Sequence, residues 1–338
     1  MLENALNLVD RLLVNSHLEE IDMSEKIAVI AIGGNSLVNK GRESIQDQIS
    51  AVNETCKHIA DMIEQGWTVA IGHGNGPQVG FVLRRSEIAH RVEGVHEVPL
   101  DVCGADTQGA TGYMLQQGLY NEFLKRGMDK KVVTVVTQVE VDSKDPAFQN
   151  PTKPIGGFME EAQALEKREK DGWSVVDDAG RGWRRVVPSP LPMRVVEEPA
   201  VKALIGAGLC VITVGGGGIP VVADETGKLK GIAAVIDKDY ASSLLGNRIG
   251  AERFIVSTAV EKVAINWGKP NQQWLEKMTV AEAKAYLAEG THFAKGSMAP
   301  KIQAAIWFIE RGGKAAIITN PDNISRAMKG ETGTWIVP

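Results

Sequence analysis

Cysteine is scarce in this sequence. Its three cysteines, Cys56, Cys103 and Cys210, lie far apart in 338 residues, and no CxxC pair occurs. An odd number at such spacings argues against a disulfide framework and against the usual zinc motifs. The pattern is typical of reduced thiols, so we expect a cytoplasmic protein.

Long apolar runs and a strong charge bias are also lacking. No stretch approaches the length that crosses a bilayer, and residues 1–25 lack the basic start and long apolar centre of a signal peptide. Leucines at helical spacing in that segment predict an N-terminal helix that packs on the body or on a neighbouring subunit. The net charge of −5 argues against a general polyanion binder. We therefore expect neither a membrane nor a nucleic acid as a partner.

Two common nucleotide-binding motifs are missing. None of the three GK pairs is followed by Ser or Thr, which excludes a Walker-type loop. The glycine stretch at 72–80 lacks the last small residue of the dinucleotide fingerprint, so a redox dinucleotide fold is disfavoured.

The sequence does contain many short apolar runs. The chain exceeds the size at which one core usually stops growing, so we expect two lobes. Most of the runs are continuous rather than alternating, which indicates strands covered on both faces of a parallel sheet. Helical patterns separate them: one spans 43–65 before Gly66, and Thr279 with Glu282 forms a capping box that begins another. We predict an α/β protein, a three-layer αβα sandwich with a mainly parallel central sheet. The predicted strands cover residues 27–32, 68–71, 132–141, 209–214, 232–236, 254–257, 263–266 and 315–319.

Residues 142–193 interrupt this alternation. Proline and glycine are concentrated there around a charged helix at about 159–171. Such a segment reads as an insertion with its own turns, a flap or small protruding subdomain over a cleft. A surface loop without a role is the alternative, which the positive charge of Lys153, Arg181, Arg184 and Arg185 makes less attractive.

Three glycine-rich stretches each follow a predicted strand: Gly33-Gly34-Asn35, Gly72 to Gly80, and Gly215 to Gly218. Loops after parallel strands meet at one edge of the sheet, where backbone N–H groups and helix N-termini suit phosphate oxygens. Three such junctions favour an anion cradle over ordinary tight turns.

Three lysines would complement this cradle: Lys153, Lys238 and Lys301. Lys238 lies between Asp237 and Asp239 directly after the predicted strand 232–236, where a charged cluster is costly unless it is used. Either aspartate could hold the lysines or coordinate magnesium through water. No nucleophile stands out, and His73 fits a structural role somewhat better than that of a base. The combination suits direct phosphoryl transfer without a covalent intermediate.

Several long strings resemble the carbamate kinases, which have the amino acid kinase fold. They are AIGGNSL, HGNGPQVG, DPAFQNPTKPIG, GRGWRRVVPSP, GGGGIPV, AVIDKDYAS, EGTHFAKGSMAPKI and GETGTWI, in order from about residue 26 to the end. The resemblance implies reversible phosphoryl transfer from ATP to carbamate with Mg²⁺, giving ADP and carbamoyl phosphate, commonly run towards ATP in arginine fermentation. It also implies a homodimer, an N-terminal lobe over 26–235 that contains the 142–193 subdomain, and a nucleotide-binding lobe over 236–338.

The resemblance assigns roles to matching positions. Lys153, Lys238, Lys301 and Asp239 would be catalytic, with no direct protein ligand for a metal. Backbone and side chains that cradle the phosphoryl group and the acceptor would be Gly33, Gly34, Asn35, Gly74, Asn75, Gly76, Gly215 and Gly216. The nucleotide would be bordered by Asp237, Ser257, Thr258, Val263 and Met298.

The chain departs from the family pattern at a few positions. Thr107 stands where the family usually has Ser, which keeps the hydroxyl. Ala259 and Ala264 replace residues of the nucleotide loop, and Met159, Thr291 and Lys295 are further departures. Two alternatives stay open: a kinase of the same fold for another small carboxylate, and a catalytically silent nucleotide-binding sensor.

Overall fold

A computed structural model describes residues 26–34, 44–178, 180, 182–294 and 296–338. The predicted N-terminal helix, Asn35, Arg181 and Lys295 lie outside these residues. Within them, the α-helices are α1 (Ile45–Glu64), α2 (Gly76–Glu93), α3 (Leu100–Arg126), α4 (Glu161–Asp171), α5 (Glu198–Gly206), α6 (Lys238–Arg248), α7 (Val280–Glu289), α8 (Met298–Glu310) and α9 (Ile324–Met328). No helix in this part of the chain has both the length and the apolar character needed to span a membrane.

Strands alternate with these helices along most of the chain. They are β1 (Lys26–Ile32), β2 (Trp67–His73), β3 (Val132–Thr134), β4 (Gln138–Val141), β5 (Lys153–Met159), β6 (Ser174–Asp177), β7 (Trp183–Val187), β8 (Pro192–Val195), β9 (Cys210–Ile212), β10 (Ile219–Ala223), β11 (Leu229–Gly231), β12 (Arg253–Ser257), β13 (Val263–Ile265), β14 (Gln273–Leu275), β15 (Lys277–Thr279), β16 (Ala315–Thr319) and β17 (Thr334–Val337).

Eight strands form the central sheet in the order β15-β17-β16-β12-β1-β2-β9-β3. The run from β16 to β3 is parallel throughout, and β17 joins it antiparallel to β16. Helices cover both faces. In β1, Ile30 and Ile32 pack with α1 and α3 on one face, whereas Val29 and Ala31 pack with α6 and α8 on the other. Burial on both faces explains the continuous apolar runs and confirms the three-layer αβα sandwich.

The local helix signals are confirmed. Ser44 caps α1, its hydroxyl accepting from the backbone N–H of Asp47, and Gly66 follows the helix with φ of 85°. Thr279 and Glu282 form the predicted capping box of α7. These motifs act over a few residues, so sequence alone suffices to find them.

Three strand predictions are corrected. Residues 234–236 are buried, as an apolar run predicts, although Ala233 is exposed. The run forms no strand, because Ile232 and Val235 donate to carbonyls of unrelated segments rather than to one partner strand. The run 132–141 divides into β3 and β4, which belong to different sheets. Val263 and its neighbours lie outside the central sheet, in an antiparallel pair of β13 with β14.

Within 142–193, β5, β7 and β6 form an antiparallel sheet with α4 beside it; we call these four elements the arm. The arm contacts α2 through bare backbone, since a Cβ added at Gly80 would overlap the Cα of Gly156. Arg185 of β7 adds an ion pair with Glu87 of α2, with 2.8 Å between nitrogen and oxygen. A smaller sheet has the strand order β11-β10-β4-β8; β4 precedes the arm in sequence, and the other three strands follow it.

Candidate active site

The three glycine loops meet at the carboxyl edge of the central sheet. They follow β1, β2 and β9, which are adjacent parallel strands. A Cβ on Gly34 would lie 3.1 Å from the carbonyl carbon of Gly74, and a Cβ on Gly216 would overlap the side chain of Asn75. The loops therefore need glycine in order to approach one another this closely.

Two helices begin at these loops. Asn75 is the N-cap residue of α2, and Asp237 is the N-cap residue of α6, its carboxylate accepting from the backbone N–H of Asp239 at 2.9 Å. A Cβ on Gly74 would lie 3.1 Å from the side chain of Lys238, so the first turn of α6 adjoins the second glycine loop. Helix N-termini and free N–H groups at one place favour a bound anion.

Five charged side chains form a cluster at this edge. Lys153 of the arm contacts Asp237, with 2.5 Å between nitrogen and oxygen. Asp239 accepts from Lys238 and, on its other oxygen, from Lys301 at 2.8 Å. Lys238 and Asp239 are 8% and 1% exposed. Three ammonium groups against two carboxylates leave one positive charge in a poorly solvated place, and an anion would neutralise it.

Burial and neighbouring charges act against each other on the aspartates. Burial alone would raise the pKa values of Asp237 and Asp239, but the lysine charges outweigh it and hold both pKa values below the ordinary value. Both aspartates are therefore ionised at neutral pH and keep the lysines in place.

The lysines of the cluster differ in their protonation behaviour. Burial lowers the pKa of Lys238 to about 8, although Asp239 opposes the shift, and Lys301 adds repulsion. Burial would also lower the pKa of Lys301, but the charges of Asp239 and Asp237 more than compensate and raise it. Lys238 is thus the group whose charge a bound anion would stabilise most.

His73 is buried beneath the second loop. Its Nδ1 lies 3.2 Å from the carbonyl oxygen of Gly74, and its ring fills the space beside Gly215. Burial lowers its pKa to about 4, so the ring is neutral at pH 7. This geometry favours the structural role over that of a general base.

Two residues of α3 hold the loops and were not assigned to the site from the sequence. Thr107 accepts from the side-chain amide of Asn75 at 2.9 Å. Gln108 donates to the carbonyl of Gly215 at 2.8 Å and also bonds both backbone groups of Thr137. A polar pair inside a helix gives no signal of these partners, which lie 29 to 107 positions away.

The proposed nucleotide residues are less tightly grouped. Ser257 ends β12, beside the end of β1, and its buried hydroxyl has no hydrogen-bond partner among the described residues. Met298 begins α8, three residues before Lys301. The backbone N–H of Val263, by contrast, donates to Thr334 at 2.8 Å, and no hydrogen bond in the described part of the chain joins it to the lysine cluster.

A doubly covered parallel sheet with glycine loops and buried lysines at its carboxyl edge defines an α/β protein suited to handling phosphate. The family model for the amino acid kinase family matches residues 26–320. The chain belongs to the amino acid kinase family, which confirms the resemblance of its motifs.

Individual relatives cover almost the whole chain. The carbamate kinase of Thermococcus kodakarensis is 50% identical over 314 residues, covering 92% of this chain and 99% of the relative. The carbamate kinase-like protein YahI of Escherichia coli is also 50% identical, covering 93% and 99%. The structure of carbamate kinase from Giardia lamblia bound to AMP-PNP superposes with a TM-score of 0.84 at 40% identity, covering 93% and 99%.

Proposed function

We propose that this protein is a carbamate kinase, which transfers the γ-phosphoryl group of ATP to carbamate and gives ADP and carbamoyl phosphate, reversibly. The observation that carries the proposal is the convergence of Lys153, Lys238 and Lys301 on the glycine-loop edge, in a chain 50% identical to a carbamate kinase. We further propose that the protein can work in the direction of ATP synthesis, from carbamoyl phosphate and ADP, as in arginine catabolism.

In the proposed transfer, a carbamate oxygen attacks the γ-phosphorus while the bond to the β-γ bridging oxygen breaks. Backbone N–H groups of the loops at Gly34 and Gly216 and at the start of α2 hold the moving phosphoryl group; the N–H of Gly74 is not among them, because it donates to the carbonyl oxygen of Ile32 at 2.8 Å. Lys238 and Lys301 neutralise charge on its oxygens, and Asp239 fixes the direction of both ammonium groups. Such fixed donors need no reorganisation during the reaction, and each is worth about 3 kcal/mol of barrier.

Lys153 belongs to the arm, at the start of β5, and its ion pair with Asp237 joins the arm to the first turn of α6. We infer that it contacts the acceptor or the transferred group from above the loops. In this arrangement, Asp237 positions Lys153 and borders the nucleotide.

Kinases that use ATP require a divalent metal, and we propose Mg²⁺. No group of three potential metal-ligating His, Cys, Asp or Glu side chains occurs within the part of the chain that the structure describes. Asp237 and Asp239 are already bonded to lysines. This donor set fits an ion that arrives with the nucleotide and keeps several waters, which either aspartate can hold by hydrogen bonds. The ion would neutralise charge on the β- and γ-phosphates.

The nucleotide lobe is proposed to span 236–338, and the acceptor lobe 26–235 with the 142–193 subdomain. Two observations support a nucleotide site bordered by Ser257, Met298, Thr258 and Val263. The buried hydroxyl of Ser257 has no hydrogen-bond partner among the described residues, and Met298 lies next to the turn that carries Lys301.

We propose a homodimer formed through the outer face of α3. Val102, Tyr113, Tyr120 and Leu124 are exposed and recur at helical spacing, so they make one apolar stripe. A second copy of the same stripe would cover it by two-fold symmetry. Light scattering after gel filtration should give twice the chain mass, and Tyr120→Glu should give a monomer. A monomeric parent protein would contradict the proposal.

We also propose a cytoplasmic location. Burial raises the pKa of Cys103 to about 11 and that of Cys210 to about 12, and all three cysteines are free and buried, which suits a reducing compartment.

The functional test runs the reaction in the direction with a stable substrate. The protein is given carbamoyl phosphate and magnesium ADP, and ATP is measured. The forward assay then offers ammonium bicarbonate, acetylglutamate and aspartate in turn with magnesium ATP, and ADP is measured. We expect ATP formation in the first assay, and in the second assay ADP formation with ammonium bicarbonate but not with acetylglutamate or aspartate. Lys238→Met is the matched inactive control.

Two results would replace the proposal. Activity with another carboxylate alone would make the protein a kinase of the same fold for a different acceptor. The similarity to the carbamate kinase-like protein YahI, at the same 50% identity, is the reason for testing other acceptors. Nucleotide binding without turnover of any acceptor would make it a sensor.

A further inference from the structure

A second cleft lies between the arm and α2, along α2 from Gly80 to Arg91. It has a volume of about 310 Å³, within the size range of small-molecule sites. Its walls are α2, the strand β5 and the helix α4. Gly80, the last residue of the second glycine stretch, lines the cleft, but among the described residues no other glycine-loop residue and no member of the lysine cluster does.

The floor of the cleft is apolar and partly aromatic. It is formed by Leu83, Ile88, Ile155, Phe158 and Trp173. Leu83 and Ile155 belong to a buried cluster, whereas Ile88 and Phe158 are 41% and 46% exposed and open to the cleft. A flat apolar ligand would cover this exposed surface.

Some charged residues of the cleft have ion-pair partners and others do not, within the described part of the chain. Arg185 contacts Glu87 at 2.8 Å and stacks on Trp173, with 4.3 Å from its guanidinium carbon to the ring centre. Glu166 is likewise held, by Lys170 at 2.8 Å. The acidic groups of the lining are thus already neutralised.

Arg84 and Arg91 remain. Both line the cleft from exposed positions on α2, and within the described residues neither makes an ion pair. Seven residues apart, they lie on one helix face about 10 Å apart along the axis. Two guanidinium groups at such a spacing fit two planar carboxylates, since the guanidinium fork binds a carboxylate with two parallel hydrogen bonds.

We propose that this cleft is a binding site for a small dicarboxylate with a flat apolar body. The body covers the Ile88 and Phe158 side chains, and the carboxylates bind Arg84 and Arg91. Both walls continue to the lysine cluster: α2 begins at Gly76, and β5 begins at Lys153. The ligand would therefore bridge the same two elements that meet at Gly80 and Gly156.

Binding is tested without turnover, so failure here leaves the proposed kinase activity untouched. The probe is naphthalene-2,6-dicarboxylate, titrated calorimetrically into the full chain, with the neutral diamide of the same shape as a comparison. The dicarboxylate should bind with one-to-one saturation, and the diamide at least ten-fold more weakly. Excess carbamoyl phosphate and magnesium ADP should not displace it, because the cleft is separate from the lysine cluster.

Variants on one helix separate the cleft from general charge. The double variant Arg84→Ala/Arg91→Ala should bind the dicarboxylate at least ten-fold more weakly. Arg85→Ala is the matched control, since Arg85 is exposed on the same helix but does not line the cleft, and it should bind like the parent. Unsaturable binding, equal affinity for the diamide, displacement by the substrates, or equal loss in the control would each overturn the proposal.

Discussion

Lys238→Met is expected to stabilise the substrate-free protein even though it removes the ion pair with Asp239. The reason is that the free-energy cost of burying the Lys238 charge exceeds the stabilisation from its ion pair with Asp239. The pKa of about 8 in the folded protein, against an ordinary 10.5, records this balance. Methionine keeps most of the length and apolar contacts of the lysine stem, so little packing is lost.

The size and sign of the effect follow from proton linkage. Between pH 8 and 10.5 the unfolded chain binds more protons at this lysine than the folded protein does, so the parent gains stability as the pH rises. Below pH 8 the full cost is present, about 3 kcal/mol at about 1.4 kcal/mol for each pKa unit. Allowing for imperfect packing, we expect Lys238→Met to raise the free energy of unfolding at pH 7 by about 2 kcal/mol.

Lys301→Met is the matched comparison, because Lys301 contacts the same carboxylate but its pKa is raised. Its charged form stabilises the fold below its ordinary pKa, and this contribution is lost only as the pH rises through the folded pKa. We therefore expect Lys301→Met to lower the free energy of unfolding at pH 7 by about 2 kcal/mol, typical of a charge-assisted hydrogen bond.

Urea unfolding at pH 7, 9 and 10, followed by circular dichroism, measures both variants without adding salt. The advantage of Lys238→Met over the parent should shrink towards pH 10, and turnover should fall about 100-fold or more in both variants. Equal destabilisation of the two variants at pH 7, or a gain independent of pH, would refute the account of the cluster as carrying an excess buried positive charge.

Three further changes test the loops. Gly34→Ala should lower turnover at least ten-fold, because the added methyl group meets the backbone of Gly74 and separates the first two loops; initial rates measure this. Thr107→Val should lower kcat about ten-fold by releasing the side chain of Asn75, and should lower the free energy of unfolding by about 1–3 kcal/mol, because the buried amide loses its acceptor. As the pH falls from 6.5 to 4, the free energy of unfolding of the parent should decrease by up to about 3 kcal/mol relative to that of His73→Asn. The reason is that His73 takes up a proton in the unfolded chain at a higher pH than in the folded protein; urea unfolding at each pH measures the difference.

Each of these changes has a control. Gly109→Ala on α3 meets no neighbouring atom and should leave turnover unchanged. Thr107→Ser keeps the acceptor and should restore kcat, and a serine variant as impaired as valine would contradict the role given to the hydroxyl. For His73, an equal acid loss in the asparagine variant would assign the pH dependence to other groups.

The sequence was sufficient to predict the sheet class and the place of the cluster for a physical reason. Continuous apolar runs such as that of β1 report burial on both faces, and parallel strands bring their following loops to one edge without any knowledge of the contacts. Asp237, Lys238 and Asp239 are adjacent in sequence, so their charge density is visible directly. The family match then confirmed the fold and the family.

What sequence did not supply are contacts between distant residues. The division of labour, in which Asp237 holds Lys153 and Asp239 holds the other two lysines, depends on a pairing across 84 positions. Gln108 is an ordinary helical glutamine until Gly215 is placed beside it. The run 232–236 is predicted as a strand because buried residues such as Val235 and Ile236 give the same apolar pattern whether or not their backbone pairs along one partner strand, and here it does not.

The contact between Gly80 and Gly156 sets a limit on how this enzyme can change. With no side chains between them, the two backbones rest on each other, so their separation is already at its minimum. A single methyl group at Gly80 would push the whole of β5 outward and carry the Lys153 ammonium away from Asp237. Mutations that adjust the position of the arm must therefore lie at residues around Gly80 and Gly156, because any side chain added at Gly80 would force the two backbones apart.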